Sequence, residues 1–311
     1  MATVLTRRSA LTALRNNPEL VLKAGVLKRN PCPFEVPLNR DARKISEKYS
    51  TPLPVEVLVS EPEQRRARRL CVSYACMREL PLGSFIKLSG EVYTCSPEYL
   101  LVALTPVLSD AEIILLGFEL CGSYSTDPRH HRGFTNHQPF TNVGKCQRFL
   151  KRAEHLRGAK RVQKLLSFVE NGAASPREAK LAALLTLPHS KGGYGLPKPL
   201  LNQEISWHDN TGRQIKRRVD FYWPNQHLAL EYDSNMEHTG AQRIAKDSAR
   251  RNSLSARGLT MLTATQGQIA TKEGTDELAR AIARHLSFRN RNRVSNWATR
   301  NRKLRKELRL D

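Results

Sequence analysis

The residues best suited to chemistry in this sequence are acidic and lie close together in two short segments. Residues 215–223 (IKRRVDFYW) contain Asp220, and residues 227–233 (HLALEYD) contain Glu231 and Asp233. Apolar and polar residues alternate in both segments, which predicts two β-strands that each have an apolar face and a face bearing carboxylates.

A tight turn between the two segments would bring their carboxylates together. If Asn225 and Gln226 form a two-residue turn, Asp220 lies opposite Glu231, and Arg218 lies opposite Asp233. Cβ atoms of directly opposed residues are only about 5 Å apart, and like charges in such a pair are destabilising.

The repulsion between Asp220 and Glu231 requires compensation. A divalent cation is one solution, because Mg²⁺ and Mn²⁺ prefer carboxylate oxygens. Protonation of one carboxyl group, or an ion pair with Arg217 or Arg218, is the other.

The elements around this hairpin predict a mixed sheet flanked by helices. Ser175 and Glu178 have capping-box spacing at the start of a helix that ends near Leu187. The predicted order from there is α-β-β-β-α-β-α, with later elements at 200–206, 215–223, 227–233, 240–257, 259–265 and 275–286.

This order and its motifs resemble the PD-(D/E)xK restriction-endonuclease-like superfamily. The nearest branch is the very-short-patch-repair-like endonuclease domains, of the kind found in proteins related to abortive-infection antitoxins. VDFYWP (219–224), LALEYD (228–233) and the His-Thr-Gly of 238–240 carry the resemblance, which covers residues 170–286. It implies an α/β (α+β) protein whose C-terminal αβββαβ core has a mixed central sheet.

The resemblance also implies roles for individual residues. Asp220 matches the metal-binding Asp of the superfamily, and Glu231 matches its second acidic ligand. Asp233 stands where many members have the Lys that orients the attacking water, so His238 is the alternative base. Glu178 matches an acid that the first helix sometimes adds to the metal site.

Some of these residues also have purely local explanations. Glu178 fits its capping box, and His238 fits a loop that forms only local hydrogen bonds. Asp247 and Arg251 fit an intrahelical ion pair. The basic residues expected to neutralise phosphate charge are Arg217, Arg218, Lys246, Arg250 and Arg251.

The activity implied is that of a metal-dependent DNA endonuclease or nickase, in phage defence or DNA repair, with Mg²⁺ or Mn²⁺ as cofactor. The missing Lys leaves an alternative open. In that alternative the protein is a catalytically inactive DNA-binding regulator or an antitoxin-like protein that keeps the nuclease fold.

Composition independently indicates a polyanionic partner. The 311 residues include 51 Lys and Arg against 29 Asp and Glu, a formal charge of +22. So large an excess favours nucleic acid as the partner, ahead of an acidic membrane surface. The resemblance implies that this nucleic acid is DNA, in its double-stranded form. The sequence has no membrane-spanning run and no secretory signal, and its six cysteines are scattered, which predicts a cytoplasmic, nucleoid-associated protein.

Shifts in composition divide the chain into four segments. Residues 1–145 are predicted to form a smaller mixed α+β domain that binds nucleic acid or a protein partner. Residues 146–170 read as a basic helical linker, 171–288 as the endonuclease-like domain and 289–311 as a basic tail. Each basic run fits either a solvated helix face or a surface that contacts phosphate.

Overall fold

The computed structural model describes residues 2–25, 27, 30, 34–66, 68–208, 213–233, 258–289 and 291–310. The chain divides into two compact units, Met1–Val169 and Glu170–Asp311. Both units combine helices with β-strands, so the protein is of the mixed α and β class. In the described residues, no helix has both the length and the apolar character needed to cross a membrane.

The first unit contains a five-stranded sheet, a small separate hairpin and seven helices within its described residues. The elements are β1 (Thr3–Leu5), α1 (Arg7–Asn16), α2 (Pro18–Ala24), α3 (Asn39–Tyr49), β2 (Val55–Val59), β3 (Cys71–Ala75), β4 (Phe85–Ser89), β5 (Val92–Cys95), α4 (Pro97–Ala103), α5 (Asp110–Leu120), β6 (Tyr124–Thr126), β7 (Phe134–Asn136), α6 (Val143–Arg152) and α7 (Ala159–Leu166).

The sheet of the first unit has the strand order β3-β2-β1-β5-β4. Its central strand, β1, pairs antiparallel with β2 and parallel with β5. Strands β4 and β5 pair antiparallel and form a hairpin at the other end of the sheet. Ser96 caps α4, because its hydroxyl accepts a hydrogen bond from the Tyr99 amide at 3.3 Å, directly before Pro97 begins the helix.

Helices α6 and α7 lie in the segment that the sequence assigns to a linker. Their apolar residues are buried, including Phe149 and Val162, and both helices belong to the first unit. Most of their basic side chains remain exposed, whereas Arg161 pairs with Asp110 at 2.9 Å. The apolar faces of these two helices therefore pack on the core of the first unit, and the segment is not a linker.

The second unit contains a four-stranded sheet with the order β11-β10-β9-β8. Strands β8, β9 and β10 are antiparallel neighbours, and β10 and β11 are parallel, so the sheet is mixed. The described elements are α8 (Pro176–Thr186), β8 (Leu200–His208), β9 (Gln214–Trp223), β10 (Leu228–Asp233), β11 (Thr260–Thr265), α9 (Gln266–Ala270), α10 (Lys272–His285) and α11 (Trp297–Leu308). The helix predicted at 240–257 lies outside the described residues.

The central hairpin has the predicted register but a different connection. Leu228, Ala229 and Leu230 pair with Trp223, Tyr222 and Phe221, as the sequence predicts. Residues 224–227 form the connection as a short 3₁₀ turn that ends in a residue with positive φ, instead of a two-residue turn. Proline after β9 favours this turn because its ring presets φ.

The basic tail predicted at 289–311 contains a helix that packs within the second unit. In α11, Leu304, Leu308 and Arg305 are buried. The Arg305 guanidinium donates to the carbonyl oxygens of Ile269 and Ala270 at 2.7 and 2.8 Å. Part of the basic charge of this segment therefore forms hydrogen bonds with carbonyl oxygens at the C-terminal end of α9.

Candidate functional site

Asp220 lies at the point where regular pairing between β9 and β10 ends. Its neighbours Val219 and Phe221 are fully buried, while Asp220 itself is half-buried. The Asp220 Oδ2 atom accepts a hydrogen bond from the amide of Tyr232 at 2.8 Å. This bond joins the two strands beyond their last ladder pair, Leu230 with Phe221.

Glu231 forms an ion pair with Arg217. The Arg217 Nε atom donates to Glu231 Oε1 at 3.1 Å, and Nη2 of the same guanidinium donates to that oxygen as well. The Arg217 side chain is 9% exposed and the Glu231 side chain 27%. Of the two kinds of compensation that the sequence left open, the structure contains the arginine pair.

Glu178 occupies the first turn of α8 and is buried. Its Oε1 atom accepts from the Ser175 hydroxyl at 2.8 Å, and its Oε2 atom accepts from the Ala174 amide at 2.9 Å. The side-chain amide of Asn202 also donates to Oε2. Both oxygens of this carboxylate are therefore engaged within the protein.

The three carboxylates interact electrostatically at Asp220. Burial raises the pKa of Asp220 from its ordinary value of 3.8 to about 6. The Tyr232 amide and Arg217 act to lower this pKa, while the charges of Glu178 and Glu231 act to raise it. Asp220 is therefore a carboxylate that additional positive charge would stabilise.

Arg217 also has an unused donor. Its Nη1 atom is buried and has no hydrogen-bond partner within the described part of the chain. A buried donor without an acceptor is unfavourable by about 1–3 kcal/mol, more for a charged group. An acceptor oxygen placed next to this nitrogen would remove that cost.

The other predicted site residues fall into two groups. Asp233 is the half-buried last residue of β10, and Arg218 is exposed on β9, opposite Glu204 of β8. The remaining predictions lie outside the described residues, namely His238, Lys246, Arg250 and Arg251.

The carboxylates of this site meet only part of the requirements of a divalent cation. Among the described residues, no group of three or more His, Cys, Asp or Glu side chains is arranged to hold a metal ion. Asp220 and Glu231 nevertheless supply hard carboxylate oxygens, and the raised pKa of Asp220 is of the kind that a bound cation would reverse. Two carboxylates would leave the other ligands of a cation to water or substrate, which Mg²⁺ commonly accepts.

Sequence reasoning missed Asn202. This residue has a φ of +49°, in the left-handed region, and its side chain contacts Glu178. Asparagine interrupts the apolar start of β8, and it adopts positive φ more readily than most residues. A polar residue at this place in an otherwise apolar strand start is the feature of the sequence that could have pointed to the contact with Glu178.

Comparison with known proteins gives sequence relatives but no function. Two uncharacterized proteins of Mycobacterium tuberculosis, from strains CDC 1551 and H37Rv, are each 35% identical to this chain over 130 residues. The match covers 42% of this chain and 44% of each relative, so less than half of the relatives' length is spanned. No family model and no solved structure matches the chain.

Proposed function

We propose that the second unit is a metal-dependent DNA endonuclease or nickase with a restriction-endonuclease-like core. The order α8-β8-β9-β10, followed by β11 parallel to β10, supports this proposal. The observation that carries it is the raised pKa of Asp220 beside Glu231 and Glu178, at the end of the central hairpin. The formal charge of +22 supports double-stranded DNA as the substrate.

In this proposal Asp220 and Glu231 hold Mg²⁺ or Mn²⁺. The bound cation would polarise a phosphoryl oxygen and lower the pKa of a water molecule. The Tyr232 amide orients Asp220, since it already donates to Oδ2. Arg217 adds positive charge beside the two carboxylates, and Arg218 adds charge from the exposed side of β9.

Two residues remain candidates for accepting the proton of the attacking water. Asp233 ends β10 two residues after Glu231, and His238 follows it in the sequence. A histidine base would give a rate that rises with pH near 6.5, the ordinary histidine pKa. Comparing the pH–rate profiles of Asp233→Asn and His238→Gln would distinguish the two.

The same proposal includes a role in DNA repair or phage defence.

The test is nicking of supercoiled DNA by the full chain with Mg²⁺ and with EDTA. Asp220→Asn keeps an acceptor for the Tyr232 amide but removes the charge, so nicking should disappear. Glu204→Gln is the matched control, because Glu204 is an exposed carboxylate on the neighbouring strand that pairs with Lys216 at 3.3 Å. Nicking that survives Asp220→Asn, or that needs no metal, contradicts the proposal.

A second candidate function is metal-independent DNA binding, and the Arg217–Glu231 ion pair favours it. This pair already neutralises one of the two carboxylates without a cation. Such a protein would bind DNA equally well in Mg²⁺ and in EDTA and would cut it in neither. Binding without nicking under every condition would support this candidate against the endonuclease.

A further inference from the structure

A dense group of arginines lies in the first unit, outside the carboxylate site. Arg65, Arg66, Arg68 and Arg69 occupy four of five consecutive positions just before β3. Together with residues 71–73 they line a hollow of about 520 Å³. Among the residues that the structure describes, no acidic side chain lines this hollow, which we call the arginine hollow.

The charges of the arginine hollow are not compensated within the described residues. None of its four arginines forms an ion pair there with Asp or Glu, although Arg66 donates to the backbone carbonyls of Glu63 and Arg65. The Arg68 Nε atom is buried and has no hydrogen-bond partner in this part of the structure. Clustered guanidinium groups repel one another, so an anion bound among them would lower their energy.

The position of the hollow suits an extended ligand. Strand β3 forms one end of the five-stranded sheet, and its residues 71–73 form one wall of the hollow. Ser73 is one of these residues, and the guanidinium groups are donors whose planar geometry matches phosphate oxygens. None of the described residues that line the hollow is aromatic, so none could stack on a base.

We propose that the arginine hollow binds the phosphate backbone of duplex DNA without reading its sequence. Contacts to phosphate fix the position of a protein on a duplex and are independent of the bases. The exposed basic residues of α6 and α7 belong to the same unit and are of the same charge. The first unit thus has a DNA-binding role of its own, which does not depend on hydrolysis by the second unit.

Salt dependence of duplex binding tests this proposal. The affinity of the full chain for a short fluorescein-labelled duplex is measured by anisotropy over a range of NaCl concentrations, without divalent cations. The plot of log K against log salt has a negative slope, and each lost phosphate contact makes this slope shallower by about 0.9. Arg65→Ala and Arg69→Ala should each make the slope shallower by about that amount, and the double variant by about twice as much.

Lys87→Ala is the matched control. Lys87 is exposed on β4, at the opposite end of the same sheet, so its loss removes an equal charge from the same unit. Its slope should equal that of the unchanged protein. The variant Arg65→Lys/Arg69→Lys keeps the charge and should keep the slope. An equal loss with Lys87→Ala, or no loss with the arginine variants, overturns the proposal.

Competition distinguishes the duplex backbone from a small phosphate ligand. Unlabelled duplex should displace the labelled duplex, while pyrophosphate at matched ionic strength should not. Displacement by pyrophosphate that disappears in Arg65→Ala/Arg69→Ala would assign the hollow to small phosphates and overturn the proposal. Because no divalent cation is present, these outcomes are independent of whether the second unit cuts DNA.

Discussion

Arg217 donates to Glu231 through two of its nitrogens, and both reach the same oxygen, Oε1. Arginine thus provides the positive charge at the place where the resemblance implies a divalent cation. The two kinds of charge would compete for Glu231. Binding of Mg²⁺ through Oε1 would require the guanidinium to move away from that oxygen, which makes this ion pair the central feature of the site.

Arg217→Met should destabilise the second unit. The substitution removes the Arg217 charge from Glu231, whose side chain is mostly buried, and we expect a loss of about 1–3 kcal/mol in the free energy of unfolding. Arg218→Met is the control, since Arg218 is exposed and should change stability by less than about 0.5 kcal/mol. Urea unfolding followed by circular dichroism measures both, and equal effects would contradict the structural role of the pair.

Asp220→Asn should raise stability at neutral pH. Because burial raises the pKa of Asp220 to about 6, the folded protein binds more protons than the unfolded chain between pH 4 and 6. The Asp220 contribution therefore lowers stability as the pH rises through this window, and the loss is complete above the folded pKa. At neutral pH the Asn variant should be more stable than the unchanged protein by up to about 3 kcal/mol.

This gain should disappear below pH 4, where the carboxyl group is protonated in both states. Unfolding free energies measured from pH 3.5 to 8 would show two curves that meet at the acid end. Parallel curves would mean that Asp220 has an ordinary pKa and that its surroundings do not need added positive charge.

Mg²⁺ should stabilise the unchanged protein but not its carboxylate variants. A ligand at 100 times its dissociation constant stabilises the folded state by about 2.7 kcal/mol. The thermal midpoint should therefore rise with Mg²⁺ in the unchanged protein and in Glu204→Gln, and stay constant in Asp220→Asn and Glu231→Gln. A rise of the same size in all four proteins would exclude a specific cation site at the hairpin.

Arg305→Met should also destabilise the second unit. Arg305 is 3% exposed, and its loss removes the guanidinium hydrogen bonds to the carbonyl oxygens of Ile269 and Ala270. We expect a decrease of about 2–4 kcal/mol in unfolding free energy. Arg302→Met, an exposed arginine on the same helix, should have little effect. Differential scanning calorimetry would separate the two variants, and matching midpoints would contradict this role of Arg305.

The local pattern of the sequence was sufficient to predict the strands and the register of the central hairpin. Val219, Phe221 and Trp223 are buried as their alternation requires, and three ladder pairs follow the predicted register. Alternation determines which side of a strand is apolar, and the short connection determines which residues face each other.

The partners of charged residues were not predictable in the same way. The contacts of Arg305 with Ile269 and Ala270 join positions 36 and 35 residues apart, and no periodicity encodes such a contact. A run of basic residues has the same composition whether it is solvated or docked. The sequence therefore left open whether arginine or a cation compensates Asp220 and Glu231, and the structure contains the ion pair of Glu231 with Arg217.

Because Arg305 is buried, amide hydrogen exchange in helix α11 should follow the opening of the whole second unit. Amides in a loosely attached terminal helix exchange with deuterium through local fraying, whereas amides in a docked element exchange only when a larger unit opens. Helix α11 holds Leu304, Arg305 and Leu308 in the interior. Its slowest amides should therefore exchange at the rate of the β-sheet, so that mass spectrometry of this one peptide follows the opening of the fold around Asp220.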